Sequence, residues 1–419
     1  LVTSLLDRRR WCRGALALAC LAAPAAAQDV IGDFPAIQVP AGNPLTPEKA
    51  RLGQALFHEE QLSSDDTMAC ATCHRLEAGG GDPRVGARHP GVDGRFQTPD
   101  DELGSFGVVL RDAQGKAKAH PVFGLERQVT NRNPPTVIGA VFFNLQFGDT
   151  RARPVFKDEH GEIVLDQFAS LESQAVVPPM ASGEMAHEGR TWADLTRKLA
   201  AARPLALASD VPPGLAEFIG DSPNYGALFA KAFGSEEITR ERVAMAIASY
   251  ERTLVPDQSP FDLGTMSASQ VRGLELFKEH GACEICHSSA NRLFSDGARR
   301  TISLPDHERH VKTPTLRNAG LRKRFMSGGE LTSLGEVVRH YEDLGFIHFE
   351  TPADRAALLD FVGNALTDPR VAERAPPFDR PTLRSECLPE PEPRPAHAVQ
   401  APADGIRGMQ VGAGRESPR

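Results

Sequence analysis

Apolar residues recur along much of the chain at three- and four-residue spacing, the period of helices that bury one face. The segment Pro47–Phe57 reads as a helix, with Thr46 as its cap and Pro47 near the first helical position. Ser269–Phe277 repeats the pattern. Each segment carries Gly-x-x-Leu-Phe, at Gly53 and at Gly273, and each leads into a Cys-x-x-Cys-His unit. This internal duplication predicts two modules. Between them Trp192–Leu199, Leu215–Ile219, Tyr225–Phe233 and Arg240–Thr253 read as helices joined by Pro/Gly turns. In the last, Val243, Ala244, Ile247 and Ala248 form one stripe. Gly335–Tyr341 and Pro352–Leu366 are further helices of the second module. Strand signals are few and short, so the expected fold is mainly α.

The two ends differ from this pattern. Arg8, Arg9, Arg10 and Arg13 precede a short small-apolar run from Gly14 to Ala23, and Ala25-Ala26-Ala27 follows. Residues 1–27 therefore read as a signal peptide, too short in its apolar run for a comfortable membrane span. From Pro376 the chain is rich in Pro, Glu and Arg without apolar periodicity, and a mostly extended or disordered tail is expected over 376–419. The expected division is 28–262 for the first module and 263–375 for the second.

Composition narrows the function. With 419 residues, 41% hydrophobic and 24% charged, the chain has the means to build a real core. A formal net charge of −8 argues against a nucleic-acid partner, and loss of the leader would make the remainder more acidic. The 7 cysteines do not make a disulfide scaffold, because four of them form Cys70-Ala71-Thr72-Cys73-His74 and Cys283-Glu284-Ile285-Cys286-His287. In such units two thiols add to the heme vinyl groups, and the adjacent histidine ligates the iron. Zinc would need further cysteines near each pair, and none are there. Two covalent c-type hemes in an exported acidic chain suit a bacterial periplasm. Electron carriage and catalysis both remain open at this point. A peroxidase needs one iron with an open face and a group that moves protons.

Several stretches together decide the resemblance. They are Leu52–Phe57, Arg132-Asn133-Pro134-Pro135-Thr136, Gln146-Phe147-x-Asp149-x-Arg151, Leu171–Ala175, Gly183-Glu184-Met185, Lys312–Asn318 and Ser333–Tyr341. Over Pro44–Pro381 the chain resembles the bacterial di-heme cytochrome c peroxidases, and within them the MauG-like branch. The resemblance implies two cytochrome c-like heme domains facing each other. It also implies an enzyme that uses hydrogen peroxide to reach a ferryl state and then oxidises an aromatic residue of a partner protein. The alternatives are an ordinary peroxidase fed by a small redox protein, and a non-catalytic di-heme carrier.

Site roles follow from the same resemblance. No histidine occupies the usual distal position before Arg132; His89 and His120 are the nearest. Gln174, Pro178 and Glu184 instead reproduce the distal residues of the MauG-like branch. Glu184 would carry a proton between the oxygens of peroxide, Gln174 would donate a hydrogen bond, and Pro178 would shape the pocket. Tyr341 falls where the second heme takes its distal ligand, with Met326 and His340 as rivals. Asn133, with the backbone carbonyls of Arg322 and Arg324, matches a calcium site between the domains. Two relay tryptophans of the family are replaced, by Gly148 and Gly281.

Overall fold

The computed structural model describes residues 33–387 apart from 85, 280–281 and 304–307. The expected signal peptide, Gly281 and the chain beyond Cys387 lie outside the described residues.

In the first module the helices are α1 (Pro47–Phe57), α2 (Cys70–Cys73), α3 (Ser170–Ala175), α4 (Trp192–Ala201), α5 (Pro213–Ile219), α6 (Tyr225–Phe233) and α7 (Arg240–Glu251). The second module is built from α8 (Pro260–Leu263), α9 (Ala268–Glu279), α10 (Ala282–Cys286), α11 (Leu334–Asp343) and α12 (Pro352–Asp360), after which α13 (Pro369–Glu373) packs back on the first module. Among the described residues the strands are short and pair in antiparallel couples: β1 (Arg88–His89) with β2 (Glu102–Leu103), β3 (Phe106–Val109) with β4 (Arg127–Val129), β5 (Phe156–Lys157) with β6 (Ile163–Leu165), and β7 (Arg299–Ser303) with β8 (Glu308–Lys312). The mainly α expectation agrees with this.

The local reasons are those anticipated. Thr46 caps α1 by accepting from the Lys49 amide, and Thr191, Thr239, Ser333 and Thr351 cap α4, α7, α11 and α12 in the same way. The duplicated glycines have one shared purpose. A Cβ on Gly53 of α1 would lie 1.9 Å from the Ala246 carbonyl of α7, and one on Gly273 of α9 would lie 2.1 Å from the Ala357 carbonyl of α12. Each repeat thus seats its first helix directly on the backbone of a later one.

Leu52, Leu56, Phe57, Leu195, Leu228, Phe229, Val243 and Ile247 are buried together in the first core. Phe261, Phe277, Phe294 and Phe361 dominate the second, with ring centroids 5.1 to 6.2 Å apart in edge-on contacts. Replacing one such phenylalanine by alanine costs about 3–5 kcal/mol.

Two expectations need correction. The helix expected over Pro352–Leu366 stops at Asp360 and passes into a wide turn, Phe361–Ala365, in which the Leu366 amide donates to the Phe361 carbonyl. The extended tail expected from Pro376 is packed as far as Cys387. Phe378 and Leu383 are fully buried in the core of the first module, together with Val371 of α13. Arg380 reaches Glu77 and Glu386, and the Gln54 amide donates to the Asp379 carbonyl at 2.8 Å. Isolated apolar residues among prolines have no period, so only the packing reveals that the chain returns to its first module.

The modules meet along the β7–β8 hairpin and the loop after it. The Lys312 amide donates to the Gly148 carbonyl at 2.9 Å and its Nζ to the Leu145 carbonyl at 2.7 Å. Arg309 pairs with Glu102, and the Asn133 amide donates to Ser327 at 2.9 Å.

Candidate functional site

The helix α2 is one turn long and presents Cys70, Cys73 and His74 together. His74 Nδ1 lies 3.0 Å from the Pro135 carbonyl and 3.3 Å from that of Gly80. A carbonyl can only accept, so Nδ1 carries the hydrogen and Nε2 is left bare for a metal. His287 repeats this arrangement, with Nδ1 3.0 Å from the Phe294 carbonyl. Burial lowers both imidazoles below their ordinary value and keeps them neutral, the form that ligates. The four cysteines are free of disulfides, and burial raises the thiols of Cys73 and Cys283 to about 11.

A cavity of about 510 Å³, counted to its open mouth, begins at Cys70, Cys73 and His74. Phe57, Met68, Val137, Ile247 and Met185 give it apolar walls. Gln174, Pro178 and Glu184, far from α2 in sequence, line the same space. An apolar slot ending in two thiols and a bare imidazole nitrogen fits a covalently attached heme. His89 and His120 are elsewhere, packed around Phe123 with ring centroids at 5.9 and 5.0 Å. Among the described residues, His74 is the only histidine lining the cavity.

Gln174, Pro178 and Glu184 are each held by a buried scaffold. Glu172 of α3 accepts both N–H groups of Arg252, at 2.8 and 2.9 Å, and a third hydrogen bond from Asn43 at 2.8 Å. Gln146 donates to Ser170 and to the Ala140 and Phe143 carbonyls, tying down the start of α3. Gln174 is thereby set near the end of a fixed helix, and Pro178 opens the 3-10 turn that follows. Glu184 lies in a tight turn clasped by β3: the Val108 amide donates to its carbonyl at 3.1 Å, and Gln128 donates to that of Ser182 at 2.7 Å. Gly107 permits the clasp, since a Cβ there would lie 1.9 Å from the Gly183 carbonyl. Burial raises the Glu184 carboxyl, and the charge of Arg151 partly offsets this.

Sequence reasoning missed Glu251. It ends α7, is almost fully buried and lines the same cavity, with Oε2 unpartnered. Burial pushes its carboxyl up to about 8, against the pull of Arg252. The signal was present: Glu251 stands four residues after Ile247, so a carboxylate continues an apolar stripe.

At the second Cys-x-x-Cys-His unit, α10 and Phe294 hold His287 while Tyr341 of α11 joins the surrounding cluster that includes Cys283. Burial, with the neighbouring Cys286 and Cys283, pushes the Tyr341 phenol up to about 12. Of its sequence rivals, His340 neighbours Tyr341 at 5.8 Å between rings, and the Met326 carbonyl accepts from Asn133. Of the aromatic residues left to stand in for the two replaced relay tryptophans, Phe147 lies under Arg151, Phe143 under Lys312, Phe142 stacks on Phe34 and Trp192 is buried in the first core. Gly148 has open space where a side chain would begin.

The residues expected to hold calcium do come together, but their geometry does not fit a divalent ion. Asn133 points its amide nitrogen at the carbonyls of Arg324 and Met326, at 3.2 and 3.1 Å. Its oxygen faces the guanidinium of Arg322 at 3.4 Å. Among the described residues no cluster of three or more His, Cys, Asp or Glu suits a metal ion.

Two helical modules, each with its own Cys-x-x-Cys-His, and one cavity with an acid and an amide define a di-heme c-type redox protein. The family model for di-haem cytochrome c peroxidase matches residues 47–269, and the chain belongs to that family. It is therefore an enzyme of the di-heme peroxidase or MauG type. The chain is 27% identical over 329 residues to the methylamine utilization protein MauG of Methylophilus methylotrophus, covering 73% of this chain and 76% of that protein. It is also 27% identical over 331 residues to cytochrome c peroxidase Ccp of Escherichia coli, covering 73% of this chain and 55% of the relative. Among solved structures, a MauG-like protein associated with microbial copper homeostasis matches with TM-score 0.54 at 20% identity, covering 85% of this chain and 98% of that one. The diheme peroxidase BthA from Burkholderia thailandensis matches with TM-score 0.50 at 19% identity, over 82% and 91% of the two chains. Both have the same fold. Among the described residues no helix is long and apolar enough to cross a membrane.

Proposed function

We propose that this chain is an exported, periplasmic enzyme of the MauG-like kind, which uses hydrogen peroxide to oxidise an aromatic residue of a partner protein. The observation that carries the reading is the meeting of Gln174, Pro178 and Glu184 with Cys70, Cys73 and His74 around one cavity that, among the described residues, has no second histidine. Tyr341, packed beside the second unit, is its companion.

Cys70, Cys73 and His74 would hold the first heme, and Cys283, Cys286, His287 and Tyr341 the second. When bound, the hemes supply iron for peroxide cleavage and for storing two oxidising equivalents. The chain does the rest. His74 keeps Nε2 aimed by donating Nδ1–H to Pro135 and Gly80. Gln174 orients peroxide by hydrogen bonding. Glu184 takes a proton from one peroxide oxygen and returns it to the other, so that water leaves; burial raises its carboxyl, which helps it hold the proton between the two transfers. A tyrosinate at the second site favours the oxidised metal more than methionine does.

Low-temperature EPR of the diferric protein, before and after one equivalent of peroxide, tests the reading. One high-spin and one low-spin signal, both lost within seconds in wild type and retained in Glu184→Gln, are expected. Two low-spin signals unmoved by peroxide would overturn it. Rapid turnover with a small cytochrome or cupredoxin, and no oxidation of any co-exported protein, would point instead to an ordinary peroxidase.

A further inference from the structure

Arg322 lies at the junction of the two modules, on the stretch that was expected to offer calcium only a backbone carbonyl. Its guanidinium reaches back into the first module and donates to the Pro134 carbonyl at 2.9 Å, to Asn133 Oδ1 at 3.4 Å and to the Gly79 carbonyl at 3.4 Å. These are uncharged oxygens of the kind that cradle a hard cation. We propose that the guanidinium of Arg322 is itself the cation of this junction, filling the oxygen cradle of Asn133, Pro134 and Gly79 so that the modules are joined without calcium.

Three further features agree. The Asn133 amide is used at both ends, with Oδ1 toward Arg322 and Nδ2 toward the Arg324 and Met326 carbonyls. Calcium would need that oxygen and those carbonyls turned on itself. The first module is also cut to the shape of the arginine. A Cβ on Gly81 would lie 2.8 to 2.9 Å from three guanidinium atoms, and one on Gly79 would lie 2.9 Å from Arg322 Cγ. Finally, Arg324 is fully buried next door, donating to the Asp82 carbonyl at 3.0 Å and the Leu103 carbonyl at 2.9 Å. A divalent ion set between two guanidiniums would be repelled by both. Burial and Arg324 lower Arg322 to about 10, which still leaves it charged at neutral pH.

The clamp also reaches the heme ligand. The carbonyls that orient His74 belong to Gly80 and Pro135. Each lies one residue after a carbonyl that Arg322 holds, Gly79 and Pro134. Arg322 is thus a positioning residue for the proximal imidazole.

The test uses the holoprotein with both hemes. After dialysis against EGTA, metal analysis should find far less than one calcium per chain, with the EPR spectrum and thermal midpoint unchanged by chelator or by added calcium. Arg322→Gln should lower the midpoint by several degrees and shift the first-heme EPR signal, and Arg322→Lys should recover part of both. One calcium per chain, or a spectrum that changes with EGTA, overturns the proposal. So does an Arg322→Gln protein identical to wild type in midpoint and EPR. If Arg322→Gln does not fold, Asn133→Asp decides: calorimetry should detect no calcium binding and the first-heme signal should be retained, whereas stoichiometric binding of calcium would refute the clamp.

Discussion

Glu172 and Arg252 form a two-pronged ion pair at 2.8 and 2.9 Å, with both side chains sealed from solvent. It joins α3, which carries Gln174, to the residue just beyond α7, which carries Glu251. Removing one partner leaves an uncompensated buried charge, so Arg252→Met alone should cost about 3–5 kcal/mol. Arg252→Met combined with Glu172→Leu should recover much of that loss. Denaturant unfolding of the two singles and the double measures the coupling.

Gly107 gives Glu184 its place. Alanine there would press on the Gly183 carbonyl from 1.9 Å. Gly107→Ala should retain both hemes but slow the reaction with peroxide by roughly 100-fold, the effect of an acid displaced by about 1 Å. Gly148→Ala, where the space is open, is the control and should react as wild type. Stopped-flow absorbance reads both.

Glu251 should make stability depend on pH. Its buried carboxyl titrates near 8, above the ordinary 4.5, so the folded state binds the extra proton between these values. Folding stability from this group is therefore full below about 4.5 and is lost as pH rises through 8. Glu251→Gln should flatten that part of the curve. Unfolding free energies of the two proteins measured from pH 5 to 9 give the comparison, and parallel curves would rule the assignment out.

Tyr341→Met should raise the reduction potential of the second heme by on the order of 0.1 V, within the ~0.8 V that axial ligands span. The low-spin EPR signal should change with it. Tyr341→Phe should open the second iron and produce a new high-spin signal. A redox titration that leaves both variants at the wild-type potential would exclude Tyr341 as the ligand.

Gly148→Trp addresses the missing relay. The position has room for a Cβ and an ordinary backbone, so stability should change by no more than about 0.5 kcal/mol. An indole is oxidised more readily than the nearby phenylalanines, so the second heme should be oxidised faster after peroxide addition. Freeze-quench EPR compares the two proteins.

Local order along the chain determined a great deal. Helical period, caps and the two Cys-x-x-Cys-His units are short-range features, so α1, α6, α7, α9 and both heme-attachment segments were legible before any packing was known. The pair of glycines at Gly53 and Gly273 marked the duplication, and tertiary structure supplied its reason, the backbone contacts with Ala246 and Ala357. What only the folded chain decided involves contacts between segments remote in sequence. It placed Glu251 in the same cavity as Glu184, brought Phe378 and Leu383 home to the first core, and turned Arg322 toward Gly79 and Pro134. Burial, and the direction of a long flexible side chain, depend on what arrives from elsewhere, and no local period records that.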